Sequence, residues 1–242
     1  MPDPYLLLWL EAPLQAWGYD SRFGRRDSLS FPTKSGILGL LFCAMGWGGE
    51  RHEELAELAG LDMRVAAYVP LDWKKDPKPQ PRQPLLRDFH MVGSGYDDGD
   101  PWETLLIPKK SDGGKAVGGG TKMTYRYYLQ DMAFAVALQV PGDRAYDFAN
   151  ALQNPVWSLY LGRKNCVPSE QIFHGEFPDA VAALQYAADF AGREEKKRAL
   201  VFKVLQGEHD GDEVLTLNDV PVQFGVDKRY RDRRVTMVYE LG

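Results

Sequence analysis

Residues 5–10 (Tyr-Leu-Leu-Leu-Trp-Leu) form an unbroken apolar run of strand length, which predicts a buried strand. A helical pattern follows, with Ile37, Leu38, Leu41 and Met45 on one face. Pro32 lies just before it, and Thr33 or Ser35 supplies the cap. Gly36, Gly39 and Gly46 each weaken such a helix by roughly 1 kcal/mol relative to Ala, so they predict close packing of this helix on a sheet. A short helix over 53–59 and a strand over 64–69 come next. Residues 131–140 alternate: Phe134, Val136 and Leu138 are large, and Ala133, Ala135 and Ala137 between them are small. That predicts a strand with one bulky and one flat face. Residues 143–152 read as a helix with Tyr146, Phe148, Ala149 and Leu152 apolar. Beyond 178 the pattern predicts a helix over 179–188 and strands over 200–205, 213–217 and 235–241.

The stretch 72–127 breaks this rhythm. It is rich in Pro, Gly, Lys and Arg, from Lys74-Lys75-Asp76-Pro77-Lys78-Pro79 to Lys109-Lys110-Ser111-Asp112-Gly113-Gly114 and the glycines 118–120. Such composition builds no core of its own. The piece between the polar tracts, residues 85–92, looks ordered. The whole reads as a long arm inserted between two strands, with a mobile tip near 111–120, and inserts of this length are usually functional or disordered. Strand, helix, strand, arm, strand and helix make most of a ferredoxin-like β-α-β-β-α-β core in an α+β fold, with the fourth strand not evident. We expect this domain over 1–178, with the inserted arm at 72–127, and a small β-rich C-terminal extension over 179–242.

Composition narrows the function classes. The 242 residues are 44% hydrophobic, enough for a sizeable core, and carry a formal net charge of -5. A broad non-specific nucleic-acid footprint is more often basic, so any such contact must come from local patches. Residues 208–219 hold five carboxylates and no Lys or Arg, whereas 224–234 hold Lys228, Arg229, Arg231, Arg233 and Arg234 against two aspartates. Cys43 and Cys166 have neither disulfide-framework nor zinc spacing. No signal-peptide pattern and no apolar run of ~20 residues is present, so a cytoplasmic protein away from membranes is expected.

Several short strings carry chemistry. Thr33-Lys34-Ser35-Gly36 lacks the Gly-rich run of a P-loop, which excludes ATP binding of that type. Lys34, Ser35 and the helix N-terminus suit a single phosphate, or else an ordinary capped helix with a solvated lysine. Leu161-Gly162-Arg163-Lys164-Asn165 puts two cations after a glycine, suited to phosphates that position RNA or to a solvated turn. Thr124-Tyr125-Arg126-Tyr127-Tyr128 interleaves aromatics with a cation, the chemistry of single-strand recognition or of an amphipathic strand edge. No histidine pair has metal-ligand spacing, and no Ser-His-Asp or G-x-S-x-G pattern occurs. His90, near Arg87, Asp88 and Tyr96, is the one candidate general base for metal-independent RNA cleavage, with a plain polar role on the arm as the alternative.

In order, five blocks resemble one family. They are Leu10-Glu11-Ala12-Pro13-Leu14-Gln15-Ala16-Trp17-Gly18, then Phe31-Pro32-Thr33-Lys34-Ser35-Gly36-Ile37-Leu38-Gly39, then Leu86-Arg87-Asp88-Phe89-His90, then Thr124-Tyr125-Arg126-Tyr127-Tyr128-Leu129, and Tyr160-Leu161-Gly162-Arg163-Lys164-Asn165-Cys166. The chain is similar to the family-five CRISPR-associated proteins of type I-E Cascade, within the repeat-associated RNA-binding superfamily. The resemblance runs from 5 to about 170 and is loose beyond. It implies a ferredoxin-like, RRM-like fold with the inserted arm 72–127 as the family's thumb, and a non-catalytic subunit of a ribonucleoprotein surveillance complex for antiviral defence. That subunit caps the 5′ handle of the CRISPR guide RNA, and its thumb packs on the backbone subunit. The large subunit and target DNA are then partners through the complex, with no cofactor and no metal. Relatives elsewhere cleave precursor guide RNA, which is the enzymatic alternative. On this reading Arg22, Arg25, Lys34, Ser35, Arg87, Arg126, Arg163, Lys164 and Asn165 are RNA contacts, and Gln15, Trp17, His90 and Tyr125 add polar or stacking ones. Trp17 could equally be core. The segment 109–122 is longer and more glycine-rich than the family's thumb suggests.

Overall fold

The computed structural model describes residues 3–19, 21, 24–72, 77–92, 102, 109–114 and 122–240. Among them are eleven strands and four helices, mostly sheet. In chain order they are β1 (Tyr5–Glu11), β2 (Leu14–Gln15), β3 (Arg25–Arg26), α1 (Lys34–Met45), α2 (His52–Ala59), β4 (Met63–Pro70), β5 (Leu86–Val92) and β6 (Lys122–Gln130). Then follow β7 (Ala133–Gln139), α3 (Ala145–Gln153), β8 (Phe173–Phe177), α4 (Ala180–Ala191), β9 (Arg198–Gln206), β10 (Glu213–Gln223) and β11 (Arg229–Tyr239).

Seven strands form one sheet in the order β10-β11-β9-β4-β7-β1-β8, each neighbouring pair antiparallel. The alternation in β7 decides which helix packs where. Phe134, Val136 and Leu138 point with Leu6, Leu8 and Leu10 into a large core shared with α1, α2 and α3. The alanines 133, 135 and 137 face α4, whose Ala180, Ala183 and Ala187 are equally small. Two small-residue surfaces let that helix approach closely, and Trp9 fills the remaining space between Tyr68 and Phe190, at ring separations of 5.3 and 5.0 Å. Full burial of a large side chain is worth ~1.5–3 kcal/mol, so Leu7, Trp9, Tyr68 and Phe190 hold α4 on this flatter side.

The strand missing from the sequence pattern is β8. Phe173-His174-Gly175-Glu176-Phe177 has no apolar run, Gly175 has φ +132°, and its pairing with β1 slips in register between Leu7 and Leu8. Backbone pairing places it, with side chains only half-buried. The C-terminal strands are longer than expected. β10 and β11 form a ribbon whose far end is cationic, with Arg229, Arg231 and Arg234 exposed and Arg233 turned inward. It escapes a hydrophobicity pattern because its strands pair with each other.

A second, smaller sheet is built on β6. β5 runs antiparallel along it, β3 pairs in parallel at Tyr125 and Arg126, and β2 pairs at Leu129 and Gln130. Only Asp131 and Met132 separate β6 from core strand β7, so the arm grows out of the main sheet. Asp131 takes a left-handed φ of +50° at that corner, and its N–H donates to Pro13 O at 3.0 Å.

The three glycines in and after α1 have different surroundings, and none of them meets the sheet. A Cβ on Gly36 would meet the Trp17 ring at 2.9 Å. Gly46 is the left-handed C-cap at φ +70°. Gly39 would meet nothing nearer than Phe224 at 4.0 Å.

Candidate functional site

The N-terminus of α1 already holds an anion. Thr33 caps the helix through its hydroxyl, which accepts from Gly36 N–H at 3.1 Å. The Lys34 N–H donates to Asp219 Oδ2 at 2.7 Å, and Arg233 grips the same carboxylate at 2.7 and 2.9 Å. A carboxylate against the positive end of a helix is stabilising, and here it fills the position where a phosphate was expected.

Lys34 itself turns inward and is fully buried. Its ammonium donates to Ala59 O at 2.9 Å, to Leu61 O and to Gln206 Oε1 at 3.1 Å. The first two are carbonyls at the C-terminal end of α2, where a cation complements the helix dipole. Burial pushes its pKa down to about 8, and the Arg233 guanidinium adds to the effect against the opposing pull of Asp219. The expectation of a surface phosphate contact from Lys34 is therefore corrected: the side chain ties α1 to α2 and β9. Ser35 stays at the mouth, half-buried, with its hydroxyl 3.3 Å from that of Thr33.

Gln15 and Trp17 are corrected in the same way. The Gln15 amide is buried and donates to Leu10 O at 3.0 Å and Met132 O at 2.8 Å, and its oxygen accepts from Trp17 Nε1 at 3.2 Å. These bonds bracket the end of β1 against the corner between β6 and β7. Trp17 packs in the core over Gly36. Neither side chain has surface to offer RNA.

The turn after Tyr160 closes on the same bracket. Ala16 N–H donates to Leu161 O at 3.1 Å. Gly162, at φ +95°, comes so near that a Cβ would lie 1.6 Å from Ala16 O. Arg163 then reaches across to Tyr127 O at 3.0 Å and Arg26 O at 2.8 Å, with its guanidinium 4.5 Å above the Tyr128 ring. It clamps β3 onto β6. Asn165 donates to the Tyr128 hydroxyl at 3.1 Å, and Lys164 is exposed beside it.

The β5–β6 ribbon sorts the other candidates onto two faces. Register pairs Arg87 with Tyr127, Phe89 with Tyr125 and Met91 with Met123 on one face, and Asp88 with Arg126 and His90 with Thr124 on the other. On the first face Arg25 stands over the Tyr127 ring at 4.9 Å and Arg87 over the Tyr125 ring at 5.5 Å. Phe89 and Tyr125 lie 5.4 Å apart. Toward the tip the face turns apolar, with Met91 57% and Met123 60% exposed. On the second face His90 Nε2 meets the Asp88 carboxylate. There Arg126 Nε and Thr124 Oγ1 are buried atoms that lack a hydrogen-bond partner among the described residues.

Arg25, Arg87 and Tyr125 are thus gathered on one face, and His90 and Arg126 on the reverse. Arg22 lies outside the described residues. Sequence reasoning missed Phe89, Met91 and Met123, whose alternation with Asp88, His90 and Thr124 was the available signal. Among the described residues no group of His, Cys, Asp and Glu could hold a metal ion, and no helix is long and apolar enough to cross a membrane.

The family model described as CRISPR-associated protein (Cas_Cas5) matches residues 5–236. The chain belongs to the Cas5 family. It is 30% identical over 174 residues to the CRISPR system Cascade subunit CasD of Escherichia coli (strain K12), covering 71% of this chain and 70% of that protein. A chain of a solved CRISPR RNA-guided surveillance complex superposes with a TM-score of 0.67 at 28% identity, over 97% of this chain and 89% of that one. A crystal structure of a Cas protein superposes with a TM-score of 0.59 at 26% identity, over 98% and 94% of the two chains. The Cas5 match extends through β9, β10 and most of β11, well past the blocks by which the sequence resembled the family.

Proposed function

We propose that this Cas5-family chain is the non-catalytic subunit of a type I-E Cascade complex that binds and caps the 5′ handle of the CRISPR guide RNA. The observation that carries this is the exposed face of β3, β6 and β5, where Arg25 and Arg87 alternate with Tyr127, Tyr125 and Phe89. Aromatic faces stack on unpaired bases and guanidinium groups hold phosphates, which is how single strands are gripped. The apolar tip of the same ribbon, with Met91 and Met123, suits packing on the backbone subunit. Likeness to a Cascade subunit and to a surveillance complex supports the assignment.

The proposal includes a ferredoxin-like core made of β1, α1, β4, β7, α3 and β8. Its support is their order in the sheet, β4-β7-β1-β8, with the arm inserted between β4 and β7. We place the RNA-binding domain over 1–178 and treat 179–242 as an extension that lengthens the same sheet. The RNA contacts proposed are Arg25, Ser35, Arg87, His90, Tyr125, Arg126, Arg163, Lys164 and Asn165, with Arg126 supported by its Nε, which has no hydrogen-bond partner among the described residues.

The test is to purify the tagged chain from cells carrying its whole locus and sequence the RNA that accompanies it. Guide-length RNA with one uniform repeat-derived 5′ end is expected, and its retention should drop in an Arg126→Ala variant. Random fragments, or none, would remove the functional assignment. The contact between His90 and Asp88, on the same face as Arg126, favours a second reading as a guide-processing endoribonuclease. That reading requires 2′,3′-cyclic phosphate products and loss of cleavage in His90→Ala.

A further inference from the structure

The seven-stranded sheet ends on β10, which pairs only with β11 among the described residues. The hydrogen bonds of β11 identify the β10 groups that are left over. In an antiparallel ladder each residue turns its N–H and C=O to the same side, and the side alternates from one residue to the next. Gly207 N–H donates to Arg234 O at 2.8 Å and Glu240 N–H to Val201 O at 2.9 Å, both in the β9–β11 register. Arg234, Thr236 and Val238 therefore bond toward β9, and Val235 and Met237 toward β10, where their partners are Leu215 and Glu213. Val214 and Thr216 then turn their N–H and C=O groups away from the sheet. No turn, loop or cap bond reaches those groups among the described residues.

Sheets protect such an edge with proline, lysine, bulges or a covering element. β10 does so only in its second half. Its pairing with β11 slips after Asn218 and again after Pro221, and His52 Nδ1 lies 3.3 Å from Val222 O. Over 213–217 the register is regular, Val214 is 48% exposed and Thr216 is exposed. The charge beside this open stretch has one sign. Asp210, Asp212 and Glu213 lead into it, all exposed, and residues 208–219 hold no Lys or Arg. Arg234, opposite Thr216, is already held by Glu208, and Asp212 accepts from Tyr239 N–H at 2.7 Å. Asp210 and Glu213 are left for a cation from outside. A second copy of the chain would bring the same carboxylates to the same edge, and like charges across a strand pair repel. A basic strand gains backbone bonds and ion pairs together.

We propose that the open half of β10 is a docking edge for a partner protein, which adds an extended segment rich in Lys or Arg to the end of the seven-stranded sheet. The segment's backbone bonds Val214 and Thr216, and its cations meet Asp210 and Glu213. The edge shares no residue with the arm face, so one end of the chain takes RNA and the other takes protein. The inference rests on the reading that the chain works among other subunits, and it is independent of which residues touch the guide.

The test uses the whole complex, purified from cells carrying the locus, and the full chain purified by itself. Amide hydrogen exchange is read at residue level over 213–217, and a carbodiimide joins carboxylates to the lysines they touch. Exchange at Val214 should be at least about tenfold slower in the complex than in the free chain. Asp210 or Glu213 should be joined to a lysine of a different protein. Thr216→Pro removes an outward N–H and no bond to β11, so the free variant should melt at the wild-type temperature. In the complex, protection of Val214 should fall about tenfold in Thr216→Pro and in Glu213→Lys. Guide RNA bound, with exchange at Val214 equal in complex and free chain, overturns the docking edge and leaves the RNA-binding reading standing. Protection that both variants keep also overturns it, as does a carboxylate joined only to a second copy of this chain. A wild-type chain that purifies with neither guide RNA nor another subunit overturns both.

Discussion

Replacing Lys34 by Met should change how stability depends on pH, in a direction the structure fixes. In the unfolded chain a lysine titrates near 10.4. In the fold, burial and the nearby Arg233 bring Lys34 down to about 8. Between those values the unfolded state binds more protons than the folded state, so stability rises with pH across the window. One pKa unit corresponds to about 1.4 kcal/mol, and the full window to about 3 kcal/mol. Met fills similar volume without charge and removes this dependence. It also leaves Ala59 O and Gln206 Oε1 without the ammonium donor, a loss of ~1–3 kcal/mol that roughly offsets the relief of the buried charge near neutrality. The two proteins should therefore unfold at similar urea concentrations at pH 7.5. At pH 9.5 wild type should have gained on the variant by ~2 kcal/mol. Taking the difference at each pH cancels other titrating groups. A difference that stays flat from pH 7.5 to 10 would refute the buried, charge-strained placement of Lys34.

Gly162→Ala puts a side chain on a left-handed backbone and against Ala16 O, so it should destabilise by at least ~3 kcal/mol in urea unfolding and release the Arg163 clamp. Glu11→Ala removes the carboxylate that Lys196 and Arg198 share; Lys196 keeps Glu170 and Arg198 keeps Asp131 O, so a loss of ~2 kcal/mol is expected by the same assay. Phe89→Ser removes an aromatic from the exposed arm face. Stability of the isolated chain should stay within ~0.5 kcal/mol, while its recovery with the other subunits in co-purification drops.

The elements that bury a face were legible in the sequence. The alternation of Phe134, Val136 and Leu138 with alanines located β7 and anticipated its flat side, and Thr33 was one of the two caps of α1 that the sequence offered beside Ser35. Elements held by backbone pairing were not: β8 has Gly175 at its centre, and the outer part of the β10–β11 ribbon faces solvent. At the site, the aromatic and cationic alternation of β6 could be read directly. The fate of Lys34 could not, because it depends on Ala59, Leu61, Gln206 and Asp219, which share no local pattern with it. A lysine in the first turn of a helix reads as a surface anion contact until the fold supplies another anion from far along the chain. The glycines of α1 misled for a similar reason, since a sequence shows that a position is small but not what occupies the space.

The capping of α1 by Asp219 also has a consequence in time. The helix is encoded near the start of the chain, and the carboxylate that completes its first turn comes 185 residues later. During synthesis α1 can pack on β1 with Thr33 as its cap, yet the Lys34 N–H lacks its acceptor until β10 has been made and Arg233 has followed to hold the carboxylate in place. A nascent or C-terminally truncated chain would therefore present the arm face before its first helix is completed, and the finished subunit becomes distinguishable from an unfinished one by the state of that helix.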